Sequence, residues 1–221
     1  MYIMSTRLTQ FIQDNGTEVL LNKNEVFQSS DQSPKLACLK KGYIKRYLIK
    51  ADGAKSTQSI YGPGYVFPLT HAYKLLLNIE LSNSNEPYYY ESITPASVYA
   101  VEDKVLVNEL TADPLLYKDL FIVSGERLKS NIQQLECSSL HGAYNQLAYE
   151  LYCLAKLYGK DTKKGTKLLV PVTHQDLADI LDSSRETVSV NISKLKQLGI
   201  IENDKHYVVT DMERLLEEAG I

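Results

Sequence analysis

Thr173-His-Gln-Asp-Leu-Ala-Asp-Ile-Leu-Asp-Ser-Ser-Arg-Glu-Thr-Val-Ser-Val-Asn-Ile-Ser-Lys-Leu-Lys-Gln-Leu-Gly-Ile-Ile201 reads as a helix, a tight turn and a second helix. Thr173 followed three residues later by Asp176 has the form of a capping box. Leu177, Ile180 and Leu181 make the inward stripe of the first helix. Asp182-Ser-Ser184 makes the turn, and Ser183 or Ser184 caps the second helix. Val188, Ile192, Leu195 and Leu198 supply that helix's apolar face. Arg185, Glu186, Ser189 and Val190 are left outside, near its N-terminal end. A helix that enters a DNA major groove contacts base edges with those positions. Arginine can pair bidentately with guanine, and glutamate can accept from cytosine. These four residues are therefore the expected base readers. Thr173, Gln175, Ser183, Ser184, Thr187 and Lys205 are the expected phosphate contacts, which set register without reading sequence. The plainer alternative for Arg185-Glu186 is a solvated, charged first turn.

On the C-terminal side, Ile200-Ile-Glu202, a turn at Asn203-Asp-Lys205 and Tyr207-Val-Val209 predict a β-hairpin. Asp211 can cap a last helix from Met212 to about Ala219, stopped by Gly220. On the N-terminal side, about Ala143 to Tyr158 predicts a helix with Leu147, Leu151, Leu154 and Ala155 on one face. Residues 159–165 read as a turn, and Leu168-Leu-Val170 as a short strand. The order is that of a winged helix-turn-helix over residues 142–221. Upstream, residues 112–141 read as one long helix, free of proline from Leu115 to about Leu140. Phe121, Gly125, Leu128, Ile132, Leu135 and Ser139 recur at spacings of four and three, a heptad-like seam. The seam predicts a homodimer contact, or else packing on the chain's own core. Residues 1–111 look β-rich after a short helix near Arg7 to Gln13. Short runs such as Leu36-Ala-Cys-Leu39 and Tyr43 to Ile49 are separated by Asp14-Asn-Gly16, Asp52-Gly53, Gly62-Pro-Gly64 and Asn83-Ser-Asn85. Regularly spaced short strands suggest a sandwich or barrel.

The bulk figures leave room for this. At 221 residues, 44% hydrophobic and 23% charged, the chain fits two modest globular domains. Its start lacks a signal peptide's pattern, and no apolar run approaches a membrane helix of about 20 residues, so a cytoplasmic protein is expected. Cys38, Cys137 and Cys153 are scattered and show no metal-ligand spacing, so reduced structural thiols are expected. The net charge of −3 requires a DNA binder to concentrate its positive charge locally. Lys163, Lys164, Lys167, Lys194, Lys196 and Lys205 are candidates.

The run Ser184-Arg-Glu-Thr-Val-Ser189, with Asp-Leu-Ala-Asp-Ile-Leu before it and Leu-x-x-Leu-Gly-Ile-Ile after it, resembles the DNA-binding domain of Crp/Fnr-type transcription regulators. The resemblance is strong over about residues 145 to 220. It is weaker upstream, where Gly42, Gly53 and Gly64 match turn glycines of the family's cyclic-nucleotide-binding-like β-roll. It implies an α+β chain: β-roll (jelly roll), long dimerisation helix and C-terminal winged helix-turn-helix. It also implies a homodimer on a pseudo-palindromic operator, with RNA polymerase as a candidate partner. Two departures matter. Val190 stands where many members have a further arginine. No arginine lies between Arg46 and Arg127, so the family's phosphate cassette for cyclic AMP is missing, and Asn131-Ile132 replace its adenine-contacting hydroxyl residues. Cyclic AMP is not expected as effector, and no cofactor or metal is expected. Phe67, His71, Tyr89 and Asn131 are the candidate effector-pocket residues, with packing tyrosines and a hydrogen-bonded histidine as the plainer reading. His71, His141, His174 and His206 are dispersed and no catalytic motif occurs, so no enzyme is expected. The rival reading is a winged helix that binds protein rather than DNA.

Overall fold

A computed structural model describes residues 6–27, 35–77, 88–140, 142–203 and 206–221. The chain divides near Lys129 and Ser130 into two compact units, and residues 55–57 group with the C-terminal one.

The N-terminal unit runs α1 (Arg7–Asn15), β1 (Thr17–Leu21), β2 (Val26–Phe27), β3 (Lys35–Lys41), β4 (Ile44–Ile49), β5 (Lys55–Tyr61), β6 (Val66–Phe67), α2 (Leu69–Leu77), β7 (Tyr89–Ser92), β8 (Ala96–Glu102) and α3 (Asp103–Ala112). The helix α4 (Leu115–Ser139) then carries the chain out of it. Two four-stranded sheets form, ordered β1-β8-β3-β6 and β2-β7-β4-β5. Ala37, Leu39, Val98 and Phe67 from the first meet Phe27, Ile44, Tyr61 and Tyr90 from the second in one core. The other face of the first sheet, through Leu36, Cys38 and Val101, packs on Leu8, Ile12, Leu69, Leu106 and Leu110 from the helices. This double coverage explains why Leu36 to Leu39 are all buried and show no alternation. Turn glycines close the strands: Gly42 has φ +86°, and a Cβ there would come within 2.5 Å of the Pro95 carbonyl oxygen. The result is a β-roll, as expected.

Two helices in this half were not expected. Of the run Phe67-Pro-Leu-Thr-His71, Leu69 to His71 open α2, and α3 lies inside the stretch read as β-rich. In α3, Leu106 and Leu110 are one turn apart and both buried, but two apolar anchors in ten residues give a weak periodic signal. The turn read at Asn83-Ser-Asn85 lies outside the described residues.

The C-terminal unit continues with α5 (Ala143–Tyr158), β9 (Gly159–Thr162), β10 (Gly165–Leu168), α6 (His174–Ile180), α7 (Arg185–Gln197), β11 (Ile201–Asn203), β12 (Tyr207–Val209) and α8 (Met212–Glu218). Its sheet has the order β11-β12-β10-β9. Residues 159–165 are therefore not a simple turn, and the strand ends at Leu168 rather than running through Val170. β9 is short, polar and exposed along Lys160 to Thr162, so no hydrophobic alternation marks it. It is held instead by its pairing with β10 and by Thr162 Oγ1, which donates to the Gly165 carbonyl at 2.7 Å.

Candidate nucleic-acid interface

Local chemistry sets both helices of the pair. Thr173 Oγ1 accepts from Asp176 N–H at 3.1 Å, and Asp176 Oδ2 accepts from Thr173 N–H at 3.0 Å. Two orphan donors at the start of α6 are thereby satisfied reciprocally. The Thr173 hydroxyl also donates to Asp176 at 2.7 Å, so it is committed to the cap. α6 stops at a reversal in which Asp182 takes φ +48°, a left-handed conformation that aspartate tolerates better than most residues. Ser184, not Ser183, caps α7: its Oγ accepts from Thr187 N–H at 3.1 Å and lies 2.9 Å from Thr187 Oγ1.

α7 buries Val188, Asn191, Ile192 and Leu195. Arg185, Glu186 and Val190 are exposed and Ser189 is half-buried. With 100° per residue, positions 185, 186, 189 and 190 form one outer stripe starting at the first turn. Val190 is 56% exposed, high for an aliphatic side chain on a helix with a buried face. Ser193 extends the stripe by one turn, with its Oγ donating to the Ser189 carbonyl at 2.9 Å. Sequence reading missed it, although it stands four residues after Ser189.

The surroundings are basic in the right place. Lys194 and Lys196 occupy the last turn of α7, where cations complement the helix dipole. His174 has its pKa lowered, first by burial and then by the charges of Lys196 and Arg185. That influence was not legible in the sequence. Gln175 is exposed, with Nε2 donating to Asp179 at 2.7 Å, and Ser183 is half-buried. Lys164 reaches Glu202 at 3.9 Å, a weak surface pair. The β11–β12 hairpin forms the wing, with Tyr207 and Val209 turned inward. Lys205 lies outside the described residues, as does His141.

The other expected site residues are spread out. Along α4, Phe121 is 83% exposed, Leu128 61%, Leu135 69%, and Ile132 is exposed too. Gly125 has open space around it, and Ser139 bonds its own helix at the Glu136 carbonyl. The four effector candidates occupy separate environments. Phe67 is fully buried against Phe27, Tyr65 and Tyr90. Tyr89 neighbours Tyr90 on β7 and so faces the other side of the sheet, where it stacks on Tyr47. His71 Nε2 is 2.7 Å from Asp103 Oδ1. Asn131 belongs to the C-terminal unit. All three cysteines are free and buried, and burial pushes the Cys38 thiol up to about 11. Among the described residues no helix is long and apolar enough to cross a membrane.

One family model matches the part of the chain that holds this site. The family model of the Crp-like helix-turn-helix domain matches residues 146–218. The transcriptional activator protein FnrL of Cereibacter sphaeroides is 49% identical over 53 residues, 23% of this chain and 21% of that protein. A protein named cyclic AMP receptor protein, from Thermus thermophilus, is 25% identical over 201 residues, covering 87% of this chain and 82% of its own length. Among solved structures, FixK2 from Bradyrhizobium japonicum superposes with a TM-score of 0.74 at 20% identity, over 91% of this chain and 96% of that one. Residues 146–218 are therefore a Crp-like helix-turn-helix domain, and the chain that carries it is similar to transcription regulators of the Crp/Fnr type.

Proposed function

We propose that the chain binds a pseudo-palindromic operator as a homodimer, with α7 in the major groove of each half-site. The observation that carries this reading is the exposed stripe Arg185, Glu186, Ser189, Val190 at the capped N-terminal end of α7. Arg185 and Glu186 read bases. Ser189 and Val190 adjust the reading, Val190 through a thymine methyl rather than a hydrogen bond. Thr173, Gln175, Ser183, Ser184, Thr187 and Lys205 set the register on phosphates. The hydroxyls of Thr173 and Ser184 serve caps, so they contribute by presenting the helix N-termini to phosphate. The second copy covers the apolar stripe of α4, giving half-sites about one helical turn apart. Cyclic AMP is not the effector in this reading, because the arginine that would pair its phosphate is missing from the turn after Gly64. Residues 1–111 then form the sensor part, 112–141 the dimer helix and 142–221 the reading head. The chain has no catalytic role, and RNA polymerase is a candidate further partner.

Selection from a random duplex library near physiological salt tests the assignment. A two-fold-symmetric motif is expected. Arg185→Ala should relax one base pair per half-site, by about 1–3 kcal/mol of discrimination. Lys205→Ala should weaken all sequences alike and flatten the salt slope by about one unit. If Arg185→Ala selects the parent's motif unchanged, the recognition helix is misassigned.

A further inference from the structure

His174 is the first residue of α6 and stands between Thr173 and Gln175, both exposed and both set on phosphates in the proposed complex. The side chains on either side of it are engaged within the chain. The Thr173 hydroxyl serves the cap, and the Gln175 amide donates to Asp179. The His174 imidazole is half-buried and makes no hydrogen bond or ion pair among the described residues.

The charges that act on this ring are positive. Lys196 and Arg185 belong to α7, the helix packed against α6, and both lower the His174 pKa after burial does. Lys194, the other cation of α7, lies over the Tyr144 ring. The carboxylates of the helix pair have other places. Asp176 is held in the Thr173 cap and Asp179 accepts from Gln175. Asp182 sits in the turn, and Glu186 follows Arg185 on α7. The free protein therefore keeps His174 neutral near pH 7, with no anion paired to it.

We propose that His174 contacts a backbone phosphate of the operator and takes up a proton as the complex forms. The inference rests on the placement of α7 in the major groove. A neutral imidazole can donate one N–H to a phosphate oxygen, and the charged ring makes the stronger, charge-assisted bond. The negative potential of DNA also offsets the Arg185 and Lys196 charges that oppose the proton in the free protein. Because DNA favours the charged ring and the free protein the neutral one, affinity rises as pH falls. The rise begins at the pKa of the bound state and levels off below that of the free state. A lysine or arginine here would add its charge at every pH, whereas histidine makes that part of the affinity conditional on acidity.

The full-length protein is titrated against its selected operator duplex by fluorescence anisotropy, between pH 5.5 and 8.5 at fixed salt. The parent's Kd should fall about tenfold from pH 8 to pH 5.5, the effect of a pKa about one unit higher in the complex. His174→Gln should cost about tenfold at pH 5.5 and under about threefold at pH 8, which separates this ring from the chain's other histidines. His174→Arg should bind about tenfold more tightly than the parent at pH 8, lose the parent's pH dependence, and steepen the salt slope by about one unit. If His174→Gln does not fold, His174→Arg gives the same reading. A parent that selects a motif but binds it equally at all pH overturns the contact and leaves the groove assignment standing. So does a His174→Gln variant that keeps the gain in acid, or a His174→Arg variant whose salt slope is the parent's. A parent that selects no sequence at any pH overturns the groove assignment, and this contact with it.

Discussion

Ser184 links local structure to function, because one hydroxyl fixes where α7 begins and hence which side chains lead it. Its Oγ accepts the Thr187 N–H. Ser184→Ala should lower stability by about 1 kcal/mol, read as a shift of the urea midpoint at constant slope. His174 supplies a pH signature. Its pKa is lowered from 6.5 by burial, Lys196 and Arg185. The unfolded chain therefore takes up this proton first as pH falls, and the folded state loses stability as pH drops through 6.5 and below. His174→Gln should flatten that loss, measured by denaturant melts between pH 5 and 8, and should leave stability above pH 7.5 unchanged. At this scale the caps were legible: Thr173 with Asp176, and Ser184, are bonded as their spacing implies. That His174 feels the charges of Lys196 and Arg185 was not, because it depends on how α6 packs on α7.

The helix α4 shows what an element can declare on its own. Its stripe at positions 121, 128, 132 and 135 is exposed in the single chain, so exchanging one of these residues costs the monomer little. Leu128→Glu or Leu135→Glu should therefore leave the thermal midpoint of the isolated fold nearly intact while sedimentation shifts from dimer to monomer. A dimer retained in both variants would place the self-contact elsewhere. Long periodic helices were readable: α4, α5 and α7 lie where their apolar spacing puts them. The short elements were not. α2 and α3 carry few anchors, and β9 carries none, being an exposed strand whose pairing with β10 supplies its order.

On the scale of the whole molecule, a β-roll and a winged helix-turn-helix share one chain through α4. Added cyclic AMP should leave operator affinity unchanged in fluorescence anisotropy, and a tenfold increase would show that a group other than an arginine after Gly64 pairs the phosphodiester. The sequence by itself determined the helix pair, its caps, the wing and the order of the parts. Those features rest on periods and spacings of a few residues, which neighbours along the chain impose. Only the tertiary structure decided which distant side chains meet. It separated Phe67, Tyr89 and His71 into three environments. It also brought Arg46 of β4 near enough to Arg127 of α4 for the two charges to act on each other. The physical reason is that sheet register and helix packing bring such residues together through the core, and no local pattern of either segment encodes its partner.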